Sequence, residues 1–376
     1  MLYVTPSLDE RDHDVVAELD ALRLEMRQAT HNPKKWTGIL RRSLLARAIQ
    51  GSNSIEGYDI NDDDAIAAVD EQEPLDADER TWAEIVGYRT AMSYVLQLTD
   101  DPDFTFDASL LRSLHYMLLS HDIAKSPGRY RGGPAFVRDE RTDEVVYEGP
   151  DWTDVAGLVN ELAEQLRSGS DGCPVYVRAA MAHLNLVMIH PFRDGNGRMA
   201  RCLQTLVLSR DEILAPVFSS VEEFLGANTE DYYAVLARTG GGSWQPERDA
   251  SAWVRCNLRA HHMQAQTVKV RDQEAGALWM AMETIVDRKR LPERAIPALC
   301  DAALGLRLRR SGYERSSRVA GKTATRDLAA LVSAGLLVAH GETRGRQYRG
   351  GGVLRRLRAD IRADRSAIRD PYPDQR

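Results

Sequence analysis

Residues 190–201, HPFRDGNGRMAR, follow directly on residues 175–189, VYVRAAMAHLNLVMI, and the junction between the two decides the fold. The run from Val175 to Ile189 is too apolar for a surface helix even with Arg178, His183 and Asn185 in it, so it reads as a helix buried in a core. Pro191 stops it. Gly195-Asn196-Gly197 allows positive φ and close backbone approach, and a second helix is expected from about Asn196 through Leu208.

Helical spacing dominates on either side. Leu40, Leu44, Leu45, Ala48 and Ile49 repeat at that spacing between Trp36 and Glu56. Further helices are expected over 81–98, 109–119, 152–167, 232–237 and 249–266. Alternation is scarce, and only 135–147 reads as a hairpin: AFV, the charged turn RDERTDE, then VVY. The fold class is therefore mainly α.

A chain of 376 residues is long for one core, so two or more domains are expected. Four cysteines lie far apart with no CxxC pair, against a disulfide framework or structural zinc and in keeping with a reducing, cytoplasmic setting. The N-terminus turns acidic early, unlike a signal peptide, and no apolar run nears the roughly 18–20 residues of a membrane span. Net charge is −7, unevenly spread: residues 271–376 hold 22 Lys and Arg against 13 Asp and Glu, while the remainder is acidic. An acidic body with a basic tail domain raises nucleic-acid binding for the tail alone.

A junction is expected near Gln273–Gly276, unless a helix runs straight through it. Beyond it, helices over 278–287, 293–304 and 322–333, with Gly335 at the C-cap position, precede a two-stranded ribbon of 336–339 and 347–348. Helix, helix, helix, ribbon is the winged-helix order. The domains expected are an N-terminal helical region over 1–100, a core over 101–270, a winged helix over 271–350 and an Arg/Asp-rich tail over 351–376, read as frayed or disordered.

The chemistry concentrates in 190–201. A glycine-rich turn feeding a helix N-terminus aims free N–H groups at an anion, helped by the helix dipole. Arg198 and Arg201, three residues apart, share one helix face and are suited to clamping a phosphate chain. Asp194 is a hard oxygen donor suited to Mg²⁺, and His190 is an imidazole able to take a proton near neutral pH. Together they make a kit for phosphoryl or nucleotidyl transfer.

At this point the sequence resembles the Fic family, whose signature HPFx[D/E]GNGRxxR is matched at every defined position by HPFRDGNGRMAR. The resemblance extends over roughly 36–255. It implies a helical Fic fold with a small β-hairpin flap, ATP and Mg²⁺ as nucleotide and ion, and transfer of AMP to a hydroxyl side chain of a target protein. Carried over, His190 resembles the general base, Asp194 the Mg²⁺ ligand, Gly195, Asn196 and Gly197 the anion-binding loop, and Arg198 and Arg201 the phosphate-holding arginines. Phe192 matches a packing residue, and Arg129, Tyr130 and Arg131 a structural stretch. Asn228, Tyr232 and Tyr233 fall where relatives place residues near the base. The hairpin, with Val145 and Val146, falls where relatives align the target chain.

Ser52-Asn-Ser-Ile-Glu56-Gly57 resembles the family's inhibitory motif, [S/T]xxxE[G/N]. By that resemblance a helix over about 38–57 carries Glu56 into a bidentate ion pair with Arg201, keeping Arg201 from the γ-phosphate. The alternatives are the reverse reaction, removal of AMP at the same site with Glu56 positioning water, and a DNA-binding regulator whose Fic domain senses nucleotide. In the DNA reading, Lys322, Thr323, Thr325 and Arg326 enter the major groove while Arg344 and Arg346 touch phosphates. Partners expected are thus ATP, a target protein, DNA at the tail domain and a second copy of the chain.

Overall fold

The computed structural model describes residues 1–31, 34–138, 142–169, 172–210, 218, 220–342 and 345–373. It divides into two compact units: Met1–Gln28 with Leu44–Gln266 and Arg369–Arg376, and Ala29–Ser43 with Thr267–Ile368. No helix among the described residues is long and apolar enough to cross a membrane.

The first unit is built from helices α1 (Glu10–His31), α2 (Thr37–Ser54), α3 (Asp62–Val69), α4 (Glu79–Gln97) and α5 (Ala108–Leu119), a hairpin of β1 (Phe136–Arg138) and β2 (Val145–Glu148), then α6 (Val155–Ser168), α7 (Val175–Ile189), α8 (Asn196–Ser209), α9 (Glu222–Ala227), α10 (Thr229–Gly240) and α11 (Ser251–Arg288). Asn61, Asp78 and Asp107 cap α3, α4 and α5, each accepting a hydrogen bond from a backbone N–H three residues on. α7 is buried around nearly its whole circumference and packs along α8. The Trp253 indole of α11 donates to the Ala180 carbonyl at 2.7 Å, and the Tyr147 hydroxyl of β2 donates to the Met188 carbonyl at 2.8 Å. The central helix is thus tied to a later element along its first half and to an earlier one near its C-terminus. In the hairpin, Phe136 faces Glu148 and Val137 faces Tyr147. Part of its turn, 139–141, lies outside the described residues.

In the second unit, α11 runs without a break through Gln273–Gly276, where sequence allowed a junction. Gly276 marks close approach instead: a Cβ there would sit 2.8 Å from the Trp36 ring. α12 (Ile296–Leu304), β3 (Leu308–Arg309), α13 (Arg310–Ser317), α14 (Gly321–Ser333), β4 (Leu337–His340), β5 (Gln347–Gly350) and α15 (Gly352–Ala363) follow. The antiparallel sheet has three strands in the order β3-β5-β4, so the expected ribbon gains a strand that is too short to read in sequence. Gly335, with φ +73°, follows the end of α14.

The tail departs from its frayed reading. α15 buries Leu354 in the second core, and Tyr372 is buried in the first unit. The Tyr372 hydroxyl donates to Asp12 Oδ1 at 2.9 Å, while Arg259 donates to the Tyr372 carbonyl at 2.7 Å. A few apolar side chains among many arginines give a weak sequence signal but a fixed position. Tyr372→Ala is expected to cost about 3–5 kcal/mol, the range for truncating a large buried aromatic, read as a lowered urea midpoint at unchanged slope.

Candidate functional site

The loop between α7 and α8 is held from three sides. His190 closes α7 in the left-handed conformation, φ +49°, ψ +57°. The buried guanidinium of Arg131 donates to the His190 carbonyl at 2.8 Å and to the Pro150 carbonyl at 2.5 Å, and the Arg131 N–H donates to the Pro191 carbonyl at 2.9 Å. Phe192 is buried and stacks on His115 with centroids 3.7 Å apart. Asn196 spends its side chain on the loop, accepting from the Phe192 N–H and donating to the Phe192 carbonyl, both at 2.9 Å. Its part in the expected anion loop is therefore left to its backbone. Gly195, φ +75°, precedes α8, and a Cβ there would press within 3.0 Å of Leu118 and Leu119.

The chemistry of His190 follows from its tautomer. Nδ1 lies 3.2 Å from the Val187 carbonyl, which can only accept, so Nδ1 carries the proton and Nε2 has the free lone pair. Burial, more than the Val187 contact or neighbouring charges, pushes its pKa below 6.5. His190 is a neutral base at pH 7.

An unbroken chain of charges runs beside it. Lys125 donates to Asp194 Oδ2 at 2.8 Å and to Glu84 Oε1 at 2.6 Å, and Arg198 donates to Glu84 Oε2 at 2.5 Å. Glu84 and Arg198 are almost wholly buried, and the Arg198 guanidinium lies over the Tyr58 ring. Burial opposes the ionisation of Glu84, but Arg198 and Lys125 more than offset it and hold its pKa down at about 2. At Asp194 burial is likewise outweighed by Lys125, so its carboxyl lies below the usual range. Asp194 is 39% exposed at the side chain, an ionised oxygen donor.

Arg201 is buried within the other half of the site. Its Nε donates to Ser52 Oγ at 2.7 Å, and its Nη2 donates to the Ser52 carbonyl at 2.9 Å and to Glu56 Oε1 at 2.6 Å. The expected Glu56–Arg201 contact exists, but with one nitrogen only. Ser52 takes the rest of that edge, so the pair is not bidentate. α2 ends at Ser54, short of the expected 57, and Glu56 stands where the helix terminates. The Tyr58 N–H returns to the Asn53 carbonyl and the Gly57 N–H to the Ser54 carbonyl, with Gly57 at φ +77°, which is a Schellman ending. That turn lays the carboxylate on the first turn of α8: a Cβ at Gly197 would sit 2.5 Å from Glu56 Oε1. Among the described residues two buried donors, Arg198 Nε and Arg201 Nη1, have no hydrogen-bond partner.

The residues expected near a base separate. Tyr233 donates its hydroxyl to the Ile55 carbonyl at 3.1 Å, beside the Ser52–Glu56 turn. Tyr232 is buried and bonded to His183 at 3.0 Å among Trp253 and Tyr233, with Arg201 and Glu56 close enough to act on its hydroxyl. Asn228 donates to the Phe224 carbonyl at 2.7 Å, joining α9 to α10. Sequence reasoning missed Glu84, Lys125, His115 and Tyr58. Glu84 had a readable signal, a carboxylate on the buried stripe shared by Ile85, Tyr88 and Met92. Lys125 had none, because it sits in a short 3₁₀ turn without periodicity. Among the described residues no group of three or more His, Cys, Asp or Glu could hold a metal.

The family model described as Fic/DOC family matches residues 105–208. The chain is 29% identical over 169 residues to the protein adenylyltransferase Fic of Nematostella vectensis, covering 43% of this chain and 35% of that protein. It is 32% identical over 228 residues to the protein adenylyltransferase Fic of Drosophila melanogaster, covering 56% and 44%. The chain thus spans less than half the length of either relative. A Fic family protein from Desulfovibrio desulfuricans G20 superposes with a TM-score of 0.57 at 22% identity, over 93% of this chain and 98% of that one. A Fic domain containing signaling protein from Bacteroides thetaiotaomicron gives 0.53 at 20%, over 68% and 97%. These likenesses establish the fold.

Proposed function

We propose that this chain, which carries a Fic/DOC domain over residues 105–208, is an autoinhibited protein adenylyltransferase that moves AMP from ATP to a hydroxyl side chain of a target protein. One observation carries the reading: an anion already lies in the cradle. The Glu56 carboxylate rests on the N-terminal turn of α8 and on Arg201, the place and partners a phosphate would take, and two orphaned guanidinium N–H groups stand ready beside it.

His190 Nε2 takes the proton of the incoming hydroxyl as its oxygen bonds to the α-phosphorus. The bond from that phosphorus to the bridging oxygen breaks, and pyrophosphate leaves. Arg131 fixes the imidazole by gripping the His190 and Pro191 carbonyls, and Arg201 and the α8 N-terminus hold the phosphates. Asp194 would hold Mg²⁺. A single ionised, partly exposed carboxylate, here paired with Lys125, fits an ion that would draw its other ligands from phosphates and water, and the ion would neutralise charge on the phosphates. ATP labelled at the α-phosphate should transfer label to a protein, whereas γ-labelled ATP should not. Label arriving from the γ position would make the enzyme a kinase and end the reading.

Because burial lowers the His190 pKa, the base is neutral above that value and protonated below it. Turnover at saturating ATP is expected to rise to a plateau on the alkaline side, with its acid limb centred below pH 6.5. An acid limb centred above pH 7 would contradict His190 as that base.

The second unit supports a winged-helix reading through the order α12-β3-α13-α14-β4-β5. Lys322, Thr325 and Arg326 are exposed at the start of α14, whereas Arg344 lies outside the described residues. Binding of duplex DNA by the full chain, weakened by salt and by Lys322→Glu with Arg326→Glu, is the expected result. Absence of any shift at low salt would remove DNA from the partners.

A further inference from the structure

The second unit contains a cavity of about 400 Å³ between the end of α12, β5 and one face of α15. Its charged lining is of a single sign: Arg349, Arg355, Arg358 and Arg362, with no acidic side chain among the lining residues. Arg355, Arg358 and Arg362 recur at helical spacing on α15, so the alignment is set by the helix itself. Arg349, Arg355 and Arg362 make no side-chain hydrogen bond or ion pair among the described residues. Elsewhere in this chain arginines find carboxylates, as Arg365 does with Glu274 at 2.6 Å and Arg42 with Asp301 at 2.5 Å.

The rest of the wall is small. Ala302 and Ala303 are buried at the end of α12. Gly305, φ +101°, leaves room for the Arg358 guanidinium, since a Cβ there would lie 3.0 Å from Arg358 Nη1. At Gly350 a Cβ would meet the Ala302 carbonyl at 2.5 Å. Three of the four cations that line this hollow, Arg349, Arg355 and Arg362, have no partner among the described residues, and an anion would relieve their mutual repulsion.

We infer that this cavity binds a small polyanion, a phosphorylated ligand carrying at least two negative charges, at a site separate from the Fic/DOC domain. Guanidinium forks pair with phosphate oxygens two at a time, which favours phosphate over a lone carboxylate. The volume lies in the range of about 300–1,000 Å³ typical of small-molecule sites. Although Arg349 lies on β5 of the ribbon, none of these arginines is among the residues of the DNA reading, Lys322, Thr323, Thr325, Arg326, Arg344 and Arg346.

Calorimetry of the intact chain with inorganic tripolyphosphate at low ionic strength tests this. Arg355→Gln with Arg362→Gln removes charge from exposed positions, and Ala359→Phe fills the hollow while keeping every charge. Both proteins should melt as the parent does and bind at least about tenfold more weakly, a loss of about 1.4 kcal/mol or more. Unchanged affinity in either variant overturns the inference, and so does an absence of binding by the parent. Weakening by the arginine pair alone would mean a diffuse cationic surface. Loss of duplex DNA binding in that variant, with no response of the parent to tripolyphosphate, would assign the arginines to a nucleic-acid backbone.

Discussion

Glu56→Gly is expected to raise transfer of AMP by about 10- to 100-fold. The estimate comes from one charge-assisted hydrogen bond of about 1.5–3 kcal/mol, which the nucleotide must break before Arg201 can turn to it. The ion pair rests on one hydrogen bond among the described residues, Glu56 Oε1 to Arg201 Nη2 at 2.6 Å, while Ser52 holds Nε and shares Nη2. Removing the carboxylate therefore leaves Arg201 anchored by Ser52, with its unpartnered Nη1 and the first turn of α8 open to phosphate. Glycine suits the turn, since Glu56 occupies a chain ending that Gly57 already closes with φ +77°. Ser52→Ala should behave differently, loosening Arg201 and lowering transfer in the Glu56→Gly background. Labelled-ATP transfer at fixed protein concentration reads both. If instead Glu56→Gly lost activity while releasing less AMP from a modified target, the site would be working in the hydrolytic direction.

Glu84→Ala is expected to destabilise the fold by about 3–5 kcal/mol, the cost of leaving one partner of a buried pair uncompensated. Glu84 and Arg198 are 2% and 1% exposed, and Arg198 Nε already lacks a partner among the described residues, so losing the carboxylate strands a guanidinium out of water. The same pair governs behaviour in acid. The Glu84 pKa in the folded chain is about 2 against 4.5 unperturbed, so its contribution is full above pH 4.5 and fades as pH falls toward 2. The difference in unfolding free energy between wild type and Glu84→Gln should accordingly be constant from pH 7 to 5 and shrink below 4.5. A gap that widened on acidification would show that the carboxylate is protonated in the folded chain.

The helices were legible where apolar spacing or an unbroken apolar run set them. Val175–Ile189 and the helix opening at Asn196 stand where the sequence placed them, because burial on nearly all sides and a glycine pair leave few alternatives. Illegible features depend on contacts between residues distant in sequence. The chain from Asp194 through Lys125 and Glu84 to Arg198 joins three segments, and no local pattern announces a lysine between two carboxylates. The tyrosine pair shows what sequence alone does not resolve: adjacent tyrosines at a helix start look alike, yet helical rotation buries Tyr232 and leaves Tyr233 about half exposed. Glu56 was legible as a partner of Arg201, but the share taken by Ser52 Oγ and its carbonyl depends on a helix ending that only three dimensions reveal. In the tail, Leu354 and Tyr372 are too sparse among charges to predict order.

The account depends on the imidazole of His190 deprotonating the alcohol that attacks a nucleotide seated at the start of α8. The most direct measurement compares transfer of α-labelled AMP by Glu56→Gly with that by Glu56→Gly carrying His190→Ala, at equal occupancy by ATP. A fall of about 10²- to 10⁴-fold, with nucleotide affinity unchanged, is the predicted result. Transfer that survives the loss of the imidazole would contradict it.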